Sequence, residues 1–175
     1  MKKIKTNFKD LYIIQGKSFY DDRGFFRELY KQKLISKRIV FTVVSKSKKG
    51  VLRGLHYQAR NKQGKYLSVL KGKIFDVAVD IRKNSKTYMK YFKCILSDRN
   101  NKSIYIPPGF AHGFLVTSDT AECLYKTTDF WYPENERTLL WSDPVVGIDW
   151  PLKGKFNISP KDAAGKLLAD IDAFK

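Results

Sequence analysis

Apolar and polar residues alternate along most of this chain in short runs, and turn residues separate the runs at intervals too short for helices. The clearest run is Phe75-Asp76-Val77-Ala78-Val79-Asp80-Ile81-Arg82, where carboxylates bracket a valine-rich stretch. Runs of this kind predict strands over 12–14, 24–30, 40–47, 51–58, 66–70, 73–82, 91–97, 103–106, 113–117 and 121–127. Breakers fall where hairpins need them, at Lys71-Gly72-Lys73, Asp98-Arg99-Asn100-Asn101, Pro107-Pro108-Gly109 and Ser118-Asp119-Thr120. Helical signals are scarce. One or two turns are predicted within 32–37, and a helix over 160–168, with Ser159 as N-cap, Pro160 at its first position and Asp162 near the positive end of its dipole. Many short strands at this spacing predict an all-β fold, most economically a double-sheet jelly roll with short peripheral helices.

Length and composition narrow the picture. A chain of 175 residues with 43% hydrophobic and 14% aromatic content can build a full core, and 1–175 is read as a single domain. The basic start Met1-Lys2-Lys3-Ile4-Lys5-Thr6 is not followed by an apolar leader segment, and no window reaches the length of a membrane span. Cys94 and Cys123 stand alone, without a Cys-x-x-Cys spacing, and suit free thiols in a reducing compartment, the cytoplasm. The net charge of +17 comes mostly from lysines spread over the whole chain. No nucleic-acid motif gathers them, so the expected partner is an anionic small molecule, neither nucleic acid nor membrane. Arginines are fewer and stand at ordered places: Arg23, Arg53 and Arg82.

The candidate chemistry centres on Gly50-Val51-Leu52-Arg53-Gly54-Leu55-His56-Tyr57-Gln58. Strict alternation would put Leu52, Gly54 and His56 on one face, and Arg53, Leu55 and Tyr57 on the other. His56 and His112 are the whole histidine inventory. Jelly rolls that hold a transition metal need two or three histidines with a carboxylate, often as His-x-His. This chain has no such pair, so the expected site is free of metal and cofactor, with histidine available to move protons. A base of that kind needs a carboxylate to fix its tautomer, and spacing leaves Asp76, Asp80, Asp143 and Asp162 open. Lys65 and Tyr125, both on strand-like runs, are candidates for the acid or for stabilising an enolate.

These motifs stand in order with Asp22-Arg23-Gly24-Phe25-Phe26-Arg27-Glu28, Gln63-Gly64-Lys65, Ile106-Pro107-Pro108-Gly109-Phe110-Ala111-His112-Gly113-Phe114, Tyr125-Lys126-Thr127-Thr128-Asp129 and Ser159-Pro160-Lys161-Asp162. The set resembles the dTDP-4-dehydrorhamnose 3,5-epimerase family of cupin-type jelly rolls, from about residue 4 to residue 168. The resemblance implies an isomerase that inverts C3, C5 or both in a nucleotide-linked 4-keto-6-deoxy sugar, by removing protons made acidic by the C4 ketone. It implies His56 as base, Asp162 as its orienting carboxylate, Tyr125 as the acid on the opposite face and Lys65 beside the developing enolate oxygen. It further implies Arg53 on the pyrophosphate, and substrate contacts from Arg23, Phe26, Glu28, His112, Gln58 and Trp131. Arg23, Phe26 and Glu28 would reach a neighbouring subunit's site, which implies a homodimer with shared active sites.

The chain departs from the family pattern at two places. The family commonly reads Gln-Asp-Asn where Phe41, Thr42 and Val43 stand, and Tyr-Tyr where Phe130 and Trp131 stand. Chemistry residues are kept while recognition residues change. That combination predicts the same reaction with altered nucleotide preference, thymidine diphosphate binding no better than guanosine diphosphate. The alternatives are a mono-functional 3- or 5-epimerase of a GDP-4-keto hexose or heptose, and a non-catalytic nucleotide-sugar-binding cupin.

Overall fold

The computed structural model describes residues 1–152, 154–171 and 174. Its strands are β1 (Lys2–Lys5), β2 (Tyr12–Gln15), β3 (Ser18–Asp21), β4 (Gly24–Arg27), β5 (Phe41–Lys48), β6 (Val51–Gln58), β7 (Lys65–Lys71), β8 (Lys73–Asp80), β9 (Tyr91–Ser97), β10 (Lys102–Ile106), β11 (Phe110–Val116), β12 (Thr120–Thr127), β13 (Glu136–Thr138) and β14 (Asn157–Ile158). A first sheet runs β1-β2-β10-β7-β12-β5 and a second runs β13-β6-β11-β8-β9, with β14 added to β6. Strands β3 and β4 form a separate hairpin. This is the expected all-β double-sheet architecture, and each of the ten predicted strands is present within a few residues.

Three apolar clusters explain which residues face where. The first, with Leu67, Ile74, Ala78, Leu96, Ile104, Phe110 and Phe114, lies between the sheets. The second, with Phe75, Val77, Val79, Ile81 and Leu115, covers the outer face of the second sheet and is closed by Leu139, Val146, Leu168, Ile171 and Phe174. The third packs Ile35 and Tyr30 over Tyr66 and Tyr105, outside the first sheet. Consequently the valine stripe of β8 points outward under the C-terminal segment, and Asp76 points inward with Ile74 and Ala78. Covered on both faces, β8 and β11 are buried almost throughout.

Helix is scarcer than expected. The 32–37 turn reduces to a 3-10 turn at Gln32–Leu34. The 160–168 helix stops after one turn, α1 (Pro160–Ala163), because the chain leaves it to make a bridge between Lys166 and Leu139. A side chain on Gly165 would begin only 2.9 Å from the Leu140 backbone, so the exit passes flush against that segment.

The predicted faces of β6 need correction. His56 pairs with His112 and Arg53 with Phe114, so Gly54 and Leu55 together oppose Gly113. This bulge adds one residue and resets the alternation. Leu52, Leu55 and Tyr57 enter the outer cluster, while Arg53 and His56 line the same inter-sheet cavity. Only glycine fits the point of closest approach. Gly54 has φ +115°, and a Cβ there would lie 2.6 Å from Gly113 Cα.

Candidate active site

Between the sheets, at their open end, lies a cavity of about 360 Å³. Arg53 and His56 on β6 and His112 on β11 form one wall, from the second sheet. Phe41, Val43 and Ser45 on β5, Lys65 on β7 and Tyr125 on β12 form the other, from the first sheet.

His56 is held by a carboxylate delivered from the far end of the chain. Strand β14 pairs in parallel with the start of β6, Ile158 opposite Leu52. The next residue, Ser159, caps α1 by accepting a hydrogen bond from the Asp162 backbone N–H at 3.2 Å. Asp162 thereby reaches β6, where Oδ1 lies 2.7 Å from His56 Nε2 and Oδ2 accepts the Gly54 N–H at 3.0 Å. The bulge thus supplies a second donor to the same carboxylate. Burial raises the Asp162 carboxyl pKa, but the His56 contact, the Gly54 N–H and Ser159 outweigh it and hold the group below its ordinary value. With Nε2 donating to an ionised Asp162, Nδ1 of His56 carries the lone pair and can take a proton. Of the four carboxylates that spacing left open, this one is the partner of His56.

The other three have different work. Asp76 Oδ2 pairs with His112 Nε2 at 2.8 Å. Asp80 forms a two-pronged pair with Arg82 and accepts from Ser85 and Thr87. Asp143 accepts the backbone N–H groups of Val145, Val146 and Leu168, fastening the C-terminal segment.

Lys65 donates from Nζ to the His56 carbonyl at 3.1 Å. Burial lowers its pKa to about 8, against the upward pull of Glu136 and Asp76. Tyr125, across the cavity from His56, has its phenol pKa pushed well up by burial and by Cys123, with the Ser45 hydroxyl and Arg53 pulling the other way. It is therefore a protonated donor at neutral pH. Arg53 donates from Nε to Ser47 Oγ at 2.9 Å and has no carboxylate partner among the described residues. An unneutralised guanidinium in a cavity suits a phosphate.

Not every predicted site residue converges here. Trp131 stands at the rim, and Phe41 packs against Phe130 with ring centroids 6.1 Å apart. Gln58 lies behind the wall: its amide donates to the Asn61 and Phe130 carbonyls, and its oxygen accepts the Tyr132 N–H. It secures the loop that carries Trp131. Arg23, Phe26 and Glu28 lie outside this cavity. Arg23 pairs with Asp21 on the hairpin, Phe26 is 69% exposed, and Glu28 binds the N-terminal amine and Lys31. Sequence reasoning missed Ser45, Ser47 and Glu136, which pairs with Lys161 near the cavity. The alternation of β5, Phe41-Val43-Ser45-Ser47 on one face, was the available signal for the two serines.

Comparison with known proteins places the chain in a family. The profile of the dTDP-4-dehydrorhamnose 3,5-epimerase family matches residues 5–170. The dTDP-4-dehydrorhamnose 3,5-epimerase of Pseudomonas aeruginosa is 46% identical over 180 aligned residues, covering 99% of each chain. That of Salmonella typhimurium is 46% identical over 172 residues, 94% of each. The crystal structure of the dTDP-6-deoxy-D-glucose-3,5-epimerase of Legionella pneumophila, in complex with dTDP-4-keto-L-rhamnose, superposes with a TM-score of 0.94 at 48% identity, covering 98% of this chain and 94% of that one. A His–Asp pair and a buried tyrosine on facing sheets thus occur in a chain that belongs to the dTDP-4-dehydrorhamnose 3,5-epimerase family.

Proposed function

We propose that this protein epimerises a thymidine-diphosphate-linked 4-keto-6-deoxyhexose at C3 and C5, without a cofactor. The observation that carries the reading is the placement of His56–Asp162 and Tyr125 on opposite walls of one cavity. The C4 ketone acidifies the neighbouring C–H bonds because the carbanion delocalises into an enolate. His56 Nδ1 takes the proton on one face, and Asp162 stabilises the imidazolium that results. The Lys65 ammonium stabilises the enolate oxygen. Tyr125 returns a proton from the other face, so the C–H bond re-forms with inverted configuration, and solvent then restores both side chains. Arg53 holds the pyrophosphate, and the Phe41, Phe130 and Trp131 rings offer the nucleobase an apolar surface.

The whole chain, 1–175, acts as one domain and works in the cytoplasm as a homodimer. Support for the dimer comes from the β3–β4 hairpin. Its Phe19, Tyr20, Phe25 and Phe26 are all more than half exposed, while its base is anchored by Arg27 donating to the Asp98 and Val69 carbonyls. Such an arm suits insertion into a second copy, bringing Arg23, Phe26 and Glu28 to that copy's site. Sedimentation of the wild type and of Phe26→Asp tests this, with dissociation expected in the variant.

A second reading concerns the nucleotide. Phe41 and Val43 line the cavity where amide side chains would hydrogen-bond a base or sugar, so this wall supplies no preference for thymidine and leaves a guanosine-diphosphate-linked sugar as the alternative substrate. Incubation in D₂O with the thymidine-linked 4-keto-6-deoxyglucose, followed by NMR, tests the activity. Deuterium at both C3 and C5 in an inverted product supports it. Deuterium at one carbon would make the protein a mono-epimerase, and none at either would refute the reading for this sugar.

A further inference from the structure

The inner face of β5 changes character along its length, from Phe41 and Val43 to Ser45 and Ser47. The two hydroxyls reach different partners. Ser45 stands opposite Cys123 on β12, and Tyr125 opposite Val43, so Ser45 and Tyr125 are diagonal neighbours on one face. Their oxygens are 3.3 Å apart. Ser47, two residues further and buried, accepts the Arg53 Nε–H at 2.9 Å. That bond crosses from the first sheet to the second, at the corner where β5 turns into β6.

We infer that Ser45 and Ser47 are positioning residues, Ser45 for the Tyr125 phenol and Ser47 for the Arg53 guanidinium, so that one strand face sets both the proton-return end and the pyrophosphate end of the site. This rests on the epimerase reading. When the Tyr125 O–H breaks and the sugar C–H forms, negative charge develops on the phenolate oxygen, next to a hydroxyl able to donate to it. A donor placed there before the reaction strengthens as that charge appears, so its effect falls on the inversion step and not on binding. Ser47 occupies Nε and leaves the two terminal nitrogens of Arg53 to the cavity. Holding the planar fork in one orientation favours a two-point grip on phosphate, an effect felt in binding.

The test compares wild type, Ser45→Ala, Ser45→Thr and Ser47→Ala. Ser45→Ala should lower kcat for inverted product about tenfold, the loss expected for one hydrogen bond to a developing charge. Its KM and its His56-dependent deuterium wash-in should stay within about twofold, and Ser45→Thr, which keeps the hydroxyl, should restore inversion. Ser47→Ala should instead raise KM, and should weaken thymidine diphosphate in calorimetric titration about tenfold. Calorimetry reads the Ser47 arm even where the sugar is not turned over, so a wrong substrate and a wrong role for the serines give different results. A wild-type ratio of inversion to wash-in in Ser45→Ala, no rescue by threonine, or unchanged diphosphate affinity in Ser47→Ala would overturn the inference.

Discussion

The cavity wall on the second sheet carries two histidine–aspartate pairs, and their contrast shows what makes a base. His56 and His112 face each other across β6 and β11, and each gives Nε2 to an aspartate oxygen at 2.7 or 2.8 Å. The His56 side chain is 26% exposed and that of His112 only 3%. Asp162 uses both oxygens, one on His56 and one on the Gly54 N–H, whereas Asp76 leaves Oδ1 buried without a partner among the described residues. The same side-chain pair therefore serves two ends. An open ring on a fully bonded carboxylate can exchange a proton with a ligand, and a closed ring pins β11 to β8.

The largest effect that would break this contrast is removal of the open ring. His56→Ala should reduce deuterium wash-in next to the ketone by about 10²–10⁴-fold, as expected for a positioned general base, with thermal melting little changed. Exchange at the wild-type rate would reassign the base. Next in size is a matched pair of carboxylate variants. Asp162→Asn must place an amide donor against either the Gly54 N–H or His56 Nε2, which forces the wrong tautomer or loses a bond, so exchange should fall about 10²-fold. Asp76→Asn can keep its oxygen on His112 and put the amide at the unpartnered Oδ1 position. Its exchange should fall no more than about tenfold. The reverse ranking, read from initial rates in D₂O, would show His112 to be the working pair.

A smaller effect sharpens the comparison between the sheets. Lys65, on the first sheet, should be charged below pH about 8 and lose its proton above it. The ammonium that stabilises the enolate is therefore present on the acid side and absent on the alkaline side. In a pH profile, kcat/KM should decline above about 8, nearing tenfold per pH unit. Lys65→Arg, whose guanidinium stays charged, should move that limb upward. An unmoved limb would assign it to another group. The smallest effect concerns the nucleotide. Each buried polar group left unpaired against Phe41 or Val43 costs about 1–3 kcal/mol. Titration with thymidine and guanosine diphosphates should then show little difference, and a strong thymidine preference would locate base recognition elsewhere, on the loop of Trp131 or on a partner's arm.

Much of this was legible in the chain because period-two patterning and turn residues are local signals. All ten predicted strands formed, yet β1 was invisible. Its Lys2-Lys3-Ile4-Lys5 run is exposed throughout and is held by pairing with β2 and by Lys3 over the Tyr12 ring. The strand face of Arg53 was misread because a bulge depends on the partner strand, and nothing local to Gly54 states that Gly113 lies against it. His56 was visible as a candidate base from its rarity. Its partner was not, since Asp162 arrives from 106 residues away by way of β14 and the Ser159 cap, and only the family resemblance singled it out. Gln58 was expected at the substrate only because the family resemblance implied it. Its three bonds to backbone are made by loops whose path the sequence does not reveal.

The central claim is that one sheet removes the proton and the other returns it. Tyr125→Phe deletes only the phenol oxygen and keeps the ring, so packing should change little. Incubated in D₂O with the 4-keto sugar nucleotide and followed by NMR, this variant should still wash deuterium into the position next to the ketone with retained configuration, through His56, while inverted product falls by about 10²-fold or more. Equal loss of wash-in and inversion would contradict the account, because it would place Tyr125 in proton removal or in holding the sugar and leave the two-walled arrangement without its acid.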